Sequence, residues 1–314
     1  MTEVRLLVAC HKPTVAPVGP EFLPIEVGAA LRAQHLGVQR DDDGADNISS
    51  KNSNYCELTG IYWAWKHLKA DYIGSLHYRR LLDFGEGKRG AAAQVTYGDL
   101  YEALPNINID STDIAVMLRE YDVLVPRPTP MKRDGVSASV YDQYGWYHNI
   151  RDLEYVADVI RDEYPHIAPA LGTFDQMDGY CFNMFVMRTD VFNEYCEFLF
   201  NILAKFEREI DISYYDSYQS RVMGYLGERL TNIFLHYVQS LGTYRVRELQ
   251  AVVIEHTDPL HFPFEPVSKT NNVATFELKN TISIRSGSRS HFLTAKSLAA
   301  NPLLKKLRGF SRRA

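Results

Sequence analysis

The sequence predicts an α/β fold: one domain with a mostly parallel central sheet and helices on both faces, followed by a basic appendage. Three observations carry this. Short apolar runs alternate with amphipathic helical segments over about 240 residues, the pattern of strands joined by helical crossovers. The first apolar run ends directly in a polar turn, as nucleotide-binding α/β domains usually open. Finally, 314 residues with 46% hydrophobic content are enough to enclose such a sheet.

Taken in order, Val4 to Cys10 reads as a buried first strand that runs into the turn His11-Lys12-Pro13. Residues Arg40 to Asn52 read as a loop, being rich in Asp, Asn, Ser and Gly. Tyr55 to Lys66 places Leu58, Tyr62 and Trp65 on one helical face. Asp71 to Tyr78 is a short strand ending in Arg79-Arg80, and residues 85–110 read as a surface insertion with a short helix. Tyr121 to Val125 is another strand, stopped by Pro126 and Pro128. A helical pattern spans Ser139 to Tyr164, with Leu153, Val156, Val159 and Ile160 on its apolar face. Phe182 to Met187 is a strand, Thr189 is placed to cap a helix from Asp190 to Arg208, and a last helix runs from Tyr218 to Leu241. The domain therefore spans 1–267. Residues 268–314, rich in Ser, Asn, Thr and basic side chains, form the appendage.

Composition bounds the partners. The net charge is -5, yet residues 280–314 carry eight Lys and Arg and no acid, which leaves 26 basic against 39 acidic residues elsewhere. An acidic body with a basic tail does not suit nucleic acid, because no broad basic face backs the tail. An anionic lipid surface suits the tail better, and Leu303, Leu304, Leu307 and Phe310 interleave with its cations as in an interfacial helix. No apolar run approaches the roughly 18 residues that span a bilayer, and the first residues lack a signal-peptide pattern, so a cytoplasmic address is expected, with peripheral contact at the inner membrane face. The four cysteines lack CxxC spacing and read as free structural thiols.

Ligands of such sheets bind beyond the carboxyl ends of the strands, which selects His11-Lys12, His77 to Arg80 and the loop Pro126 to Arg133. Arg79 and Arg80 are the strongest chemical signal. Adjacent guanidiniums make poor core residues but offer planar donor forks to a pyrophosphate, unless one simply pairs with Asp71 or Glu57. The cluster Asp41 to Asn47 is either a solvated turn or an oxygen-ligand site for Mg2+ or Mn2+. Asp178 is the first candidate for a base that deprotonates an acceptor hydroxyl, and Glu228 the second; a turn role and an ion pair are their respective alternatives. Asn183 is placed to read sugar hydroxyls. Tyr144 and His148 belong to an aromatic run that either stacks on an acceptor sugar or packs in the core.

Several ordered motifs together resemble the capsular and exopolysaccharide glycosyltransferase family long filed under a domain of unknown function. They are Asp46 to Ser49, Lys51-Asn52, Glu57 to Lys66, His77 to Arg80, Tyr144 with His148 and Asp152, Asn183 to Met187 and Gly224 to Leu230. The resemblance covers residues 4–260 and implies a GT-A-like fold. It also implies a nucleotide sugar donor, of the UDP type, a lipid-linked oligosaccharide acceptor, and transfer of a galactose-type sugar, galactofuranose included. Asn183 to Met187 is also similar to a strand of galactosyltransferases resembling glycogenin, but Phe185 stands where a small residue is expected, so their retaining outcome does not carry over. The Asp-x-Asp metal motif of GT-A enzymes is missing at the strand that ends in His77-Tyr78-Arg79-Arg80. Arg79, Arg80, His77 and Lys51 are therefore expected to neutralise the departing diphosphate, with no cofactor required and room for Mg2+ or Mn2+. His11, Asn52 and Tyr55 are the candidates for the base pocket. A nucleotidyl- or phosphotransferase would want similar groups, although no Gly-rich Lys-Ser/Thr phosphate loop is present. A non-catalytic polysaccharide-binding protein would show exposed aromatics without a diphosphate site.

Overall fold

The computed structural model describes residues 2–85, 92–257 and the backbone of 273–275. In chain order the strands are β1 (Val4–Cys10), β2 (Val15–Pro17), β3 (Phe22–Glu26), β4 (Gln39–Arg40), β5 (Tyr72–His77), β6 (Arg80–Asp83), β7 (Gln94–Asp99) and β8 (Val123–Pro126). They continue with β9 (Thr129–Pro130), β10 (Lys132–Arg133), β11 (Val136–Ser137), β12 (Asp178–Gly179), β13 (Phe185–Arg188), β14 (Val246–His256) and β15 (Val273–Thr275). The helices are α1 (Asn52–Tyr55), α2 (Leu58–His67), α3 (Leu100–Ala103), α4 (Ser111–Glu120), α5 (Val140–Tyr147), α6 (Ile150–Glu163), α7 (Thr189–Glu209) and α8 (Val222–Leu241).

The main sheet runs β13-β8-β14-β6-β5-β1-β3-β4, with β7 on β14 and a further pairing of β13 with β5. Successive residues of β1 face opposite sides, and both sides are buried. Leu7 and Ala9 join one core with Ile73, Phe185 and the apolar faces of α2, α6, α7 and α8. Leu6, Val8 and Cys10 join a second core with Leu76, Val186 and the α4 residues Ile114, Met117 and Leu118. A strand covered on both faces reads as a continuous apolar run, which is why β1 was legible.

The sheet is mixed where a mostly parallel one was expected. β1 pairs in parallel with β3 and β5, but β13 is antiparallel to β5 and β8, and β6 turns back on β5 as a hairpin. The hairpin forms because Tyr78 and Arg79 supply a tight turn immediately after β5. β14 was not anticipated. Its first half pairs with β8 and its second half with β6 and β7, so its edges change partner midway, and its charged residues Arg247 and Glu248 break the alternation. The insertion contributes β7, whose Val95 and Tyr97 pack inward while Gln94 and Thr96 are exposed.

The expected helix from Ser139 to Tyr164 is two helices. Ser139 and Asp142 form a reciprocal capping box on α5, and Asn149 accepts from the Arg151 amide to start α6. Thr189 does not cap α7; its hydroxyl donates to the Ala70 carbonyl and ties the helix start to the sheet. The appendage lies outside the described residues apart from β15, whose backbone pairs with β2 directly after the His11 turn. Among the described residues no helix is long and apolar enough to cross a membrane.

Candidate functional site

The parallel pairing of β1 with β5 brings their carboxyl ends, and therefore His11 and His77, to one edge of the sheet. The two rings lie 6.1 Å apart, and Tyr78 packs edge-on to His11 at 5.3 Å with Lys12 over its other side at 5.9 Å. Positive charge converges on this edge. Burial, then Arg32, Lys12, Arg79 and Arg221, hold His11 below its ordinary pKa. Burial, then Arg80, His11 and Arg79, push His77 down to about 3. Both imidazoles are thus neutral at pH 7. The Arg80 guanidinium lies over the Phe182 ring at 4.3 Å and is half-buried. Asp71 does not reach Arg79 or Arg80; its carboxylate accepts from the Glu3 amide. Among the described residues neither arginine makes an ion pair, so their donor forks remain available to an anion.

Opposite these cations lies an acidic floor. Cys56, Phe182 and Asn183 all have left-handed backbones, with φ of 52°, 80° and 50°. Two consecutive non-glycine residues of this kind are strained, and the strain is held by hydrogen bonds to the site. The Phe182 amide donates to Glu228 Oε2 at 2.7 Å, and Asn183 Nδ2 donates to Glu57 Oε1 at 2.8 Å. Asn183 Oδ1 in turn accepts from Thr231 at 3.3 Å. Burial raises the Glu57 pKa, against the pull of the Asn183 hydrogen bond, while nearby Glu228 raises it further and Arg80 lowers it. Glu228 Oε1 accepts from the buried Arg229 at 2.6 Å, and Arg229 also donates to Gln143.

The approach of α8 explains this proximity. A Cβ on Gly224 would meet Cys56 Sγ at 3.0 Å, and one on Gly227 would meet Leu58 Cδ1 at 2.7 Å. Glycine at both positions lets α8 lie against the 56–58 turn; Glu228 rides on this helix, and Arg221 stands immediately before its first residue. Arg221 Nε donates to Cys56 Sγ at 3.3 Å, and its guanidinium sits over Tyr225 at 5.6 Å.

Beyond Arg221 is an aromatic group. His148 is stacked on Tyr225 at 3.9 Å and on Tyr218 at 5.6 Å. Burial, then Arg229, push His148 down to about 4. Tyr144 lies beneath, fully buried, 4.8 Å from His148 and under Arg229.

Of the residues singled out in the sequence, His11, His77, Arg79, Arg80, Asn183 and Glu228 therefore come together, and His148 and Tyr144 adjoin them. Others are spent elsewhere. Lys51 Nζ donates to Glu207 at 2.7 Å, and the Tyr55 hydroxyl donates to the same carboxylate. Asn52 donates to the Cys56 carbonyl at 2.6 Å and packs where a Cβ on Gly28, at φ 71°, would clash. Asp178 is exposed on β12 opposite Pro130, and its charge acts on Tyr180 and His236. The acidic loop is also occupied. Buried Asp41 accepts from the Gly28 and Ala29 amides and from Ser49, Asp42 pairs with Arg40, Asp43 accepts from Gln39, and Asp46 accepts from Tyr62. Among the described residues no three His, Cys, Asp or Glu side chains form a group that could hold a metal. Sequence reasoning passed over Glu57 as a site residue and did not find Arg32, Arg221, Gln143 or Tyr218. Their only signal is tertiary, because they lie on separate loops and helices.

The arrangement suits one kind of chemistry. Guanidiniums without an ion pair among the described residues, beside neutral imidazoles, can take up a multiply charged anion, and the hydrogen-bonded carboxylates that act on Arg80 can accept a proton. Comparison with known proteins agrees in direction. A family model described as a domain of unknown function (DUF4422) matches residues 5–239. The chain is also similar to a solved structure described as the WbbM bifunctional glycosyltransferase in its apo form, with a TM-score of 0.74 and 36% identity. The match covers 81% of this chain and 46% of that one, so the chain spans less than half the length of this relative. No curated protein matches.

Proposed function

The chain belongs to the DUF4422 family, and on that premise we propose that it is a glycosyltransferase of GT-A-like fold that moves a hexosyl group from a nucleotide diphosphate sugar. The observation that carries the reading is the pair of guanidiniums, Arg79 and Arg80, at the strand ends, without an ion pair among the described residues, with Arg80 close enough to Glu57 and Glu228 to feel both. The similarity to a glycosyltransferase supports it. When the sugar–oxygen bond breaks, negative charge concentrates on the departing diphosphate. Arg79, Arg80, Lys12 and Arg221 stabilise that charge, and the neutral imidazoles of His11 and His77 add donors without crowding the site with further cations. An acceptor hydroxyl attacks the anomeric carbon from the opposite face, inverting it, and its proton passes to a carboxylate.

We assign that role to Glu228, held by the Phe182 amide and Arg229, with Glu57 beside it. Asp178, exposed among other partners, is not needed. The cations take the place of a metal, although Mg2+ or Mn2+ carried in by the nucleotide is compatible with the scheme. A UDP-linked galactose-type donor and a lipid-linked oligosaccharide acceptor, in surface polysaccharide synthesis, are what the motif resemblance implies, and contact with the inner membrane face is what the basic tail suggests. Calorimetric titration with UDP, with Mn2+ and with chelator, tests the reading; absence of binding in both conditions overturns it. Hydrolysis of a panel of nucleotide sugars, followed by mass spectrometry, then identifies the donor.

A further inference from the structure

We infer that the aromatic shelf of His148, Tyr218 and Tyr225 is the acceptor subsite, and that its ligand is an uncharged saccharide ring. The inference rests on the glycosyltransferase reading and deepens it. The three rings pack together: His148 is stacked on Tyr225 at 3.9 Å and 23°, Tyr218 lies 5.6 Å from His148 at 16°, and the two tyrosines are 5.4 Å apart. Tyr218 is 50% exposed, so part of the residue is open to a ligand. Sugar rings present C–H faces that pack on such surfaces while their hydroxyls seek polar groups at the rim. Gln219 and Tyr215 bond to buried Asp152, fixing the loop that carries Tyr218, and the Tyr218 carbonyl accepts from Tyr225.

Position argues for the acceptor. Arg221 touches Tyr225 on one side and acts on His11 on the other, so the shelf begins where the cation cluster ends. Glu228 lies between them through Arg229, which sits over Tyr144 beneath the shelf. A hydroxyl of a ring on the shelf would therefore enter on the carboxylate side of the diphosphate site. Tyr144 Oη, His148 Nδ1 and Arg229 Nε have no partner among the described residues, although Tyr144 and Arg229 are more than nine-tenths buried. The sequence suggested Tyr144 as a contact; the structure makes it the support and gives the contact to Tyr218.

The full chain in saturating UDP is presented with methyl glycosides of galactose, glucose, mannose, rhamnose and N-acetylglucosamine, and saturation-transfer NMR reads binding. UDP affinity is measured in parallel. The expected result is binding of at least one glycoside, weakened about fivefold or more by Tyr218→Ala and retained in Tyr218→Phe, with UDP affinity unchanged. The inference falls if UDP binds but no glycoside does, or if Tyr218→Ala binds glycosides as the parent does. It also falls if Tyr218→Ala weakens UDP instead, since the shelf would then hold the base. Failure of the parent chain to bind UDP at all overturns the glycosyltransferase reading itself.

Discussion

Two polar clusters in this chain offered the same promise as text. The loop Asp41 to Asn47 gathers carboxylates, and the turn His77 to Arg80 gathers cations. In the fold they part company. The carboxylates of Asp41, Asp42, Asp43 and Asp46 are all consumed by donors of the chain itself, whereas Arg79 and Arg80 meet no carboxylate within ion-pair distance among the described residues. A cluster becomes a binding site by what the rest of the chain withholds from it. The first cluster holds the fold together, and the second is left able to hold something else.

Substitutions can break or sharpen this contrast. The largest effect is expected at Arg80. Arg80→Ala should lower kcat/KM for the nucleotide sugar about 100-fold, roughly 3 kcal/mol, with little change in melting temperature, and Arg80→Lys should restore only part because the planar fork is lost. Asp41→Ala should do the reverse. It leaves two buried amides unpaired and should cost about 2 kcal/mol of stability by denaturant titration, with UDP affinity per folded molecule unchanged. Arg79, more exposed than Arg80, should contribute less, so Arg79→Ala should weaken UDP binding about tenfold by calorimetry.

The smallest effect concerns pH. His77 titrates at about 3 in the fold, against about 6.5 in an unfolded chain. As pH falls below about 6.5 the unfolded chain takes up a proton that the fold refuses, so stability declines until about pH 3. His77→Gln should make the loss of melting temperature between pH 6.5 and 4 shallower, although His11 and His148 retain the same sign. An unchanged slope would mean that His77 is not buried among cations.

Much of the architecture was legible because its signals are local. After Arg5, β1 is an unbroken apolar run from Leu6 to Cys10, and α7 carries its apolar residues at helical spacing from Val191 to Phe206. The Arg79-Arg80 pair was legible for the opposite reason, since two cations after an apolar strand have no local excuse. β14 was not, because a strand that changes partners along its length shows no single periodicity. Glu57 was read only as a potential ion-pair partner. Nothing near it in the chain announces that Asn183, 126 residues away, donates to it, or that Arg80 lies close enough to be felt. Asp178 stands in sequence beside Asn183, but in the fold it is exposed on β12, while the chain turns at Phe182 and carries Asn183 to the Glu57 carboxylate.

Gly224 and Gly227 act as a ruler. Helix α8 rests on Cys56 and Leu58 with nothing but hydrogen at the two points of contact, so its axial position is set by atoms that cannot be compressed further. Glu228 and Arg229 lie on that helix and Arg221 immediately precedes it, so a displacement of the helix would carry charge and base together. The two faces of the contact are therefore free to vary only in tandem: methyl groups gained by the helix must be given up by Leu58 or Cys56, and a chain that gains without giving loses its calibration before it loses its fold.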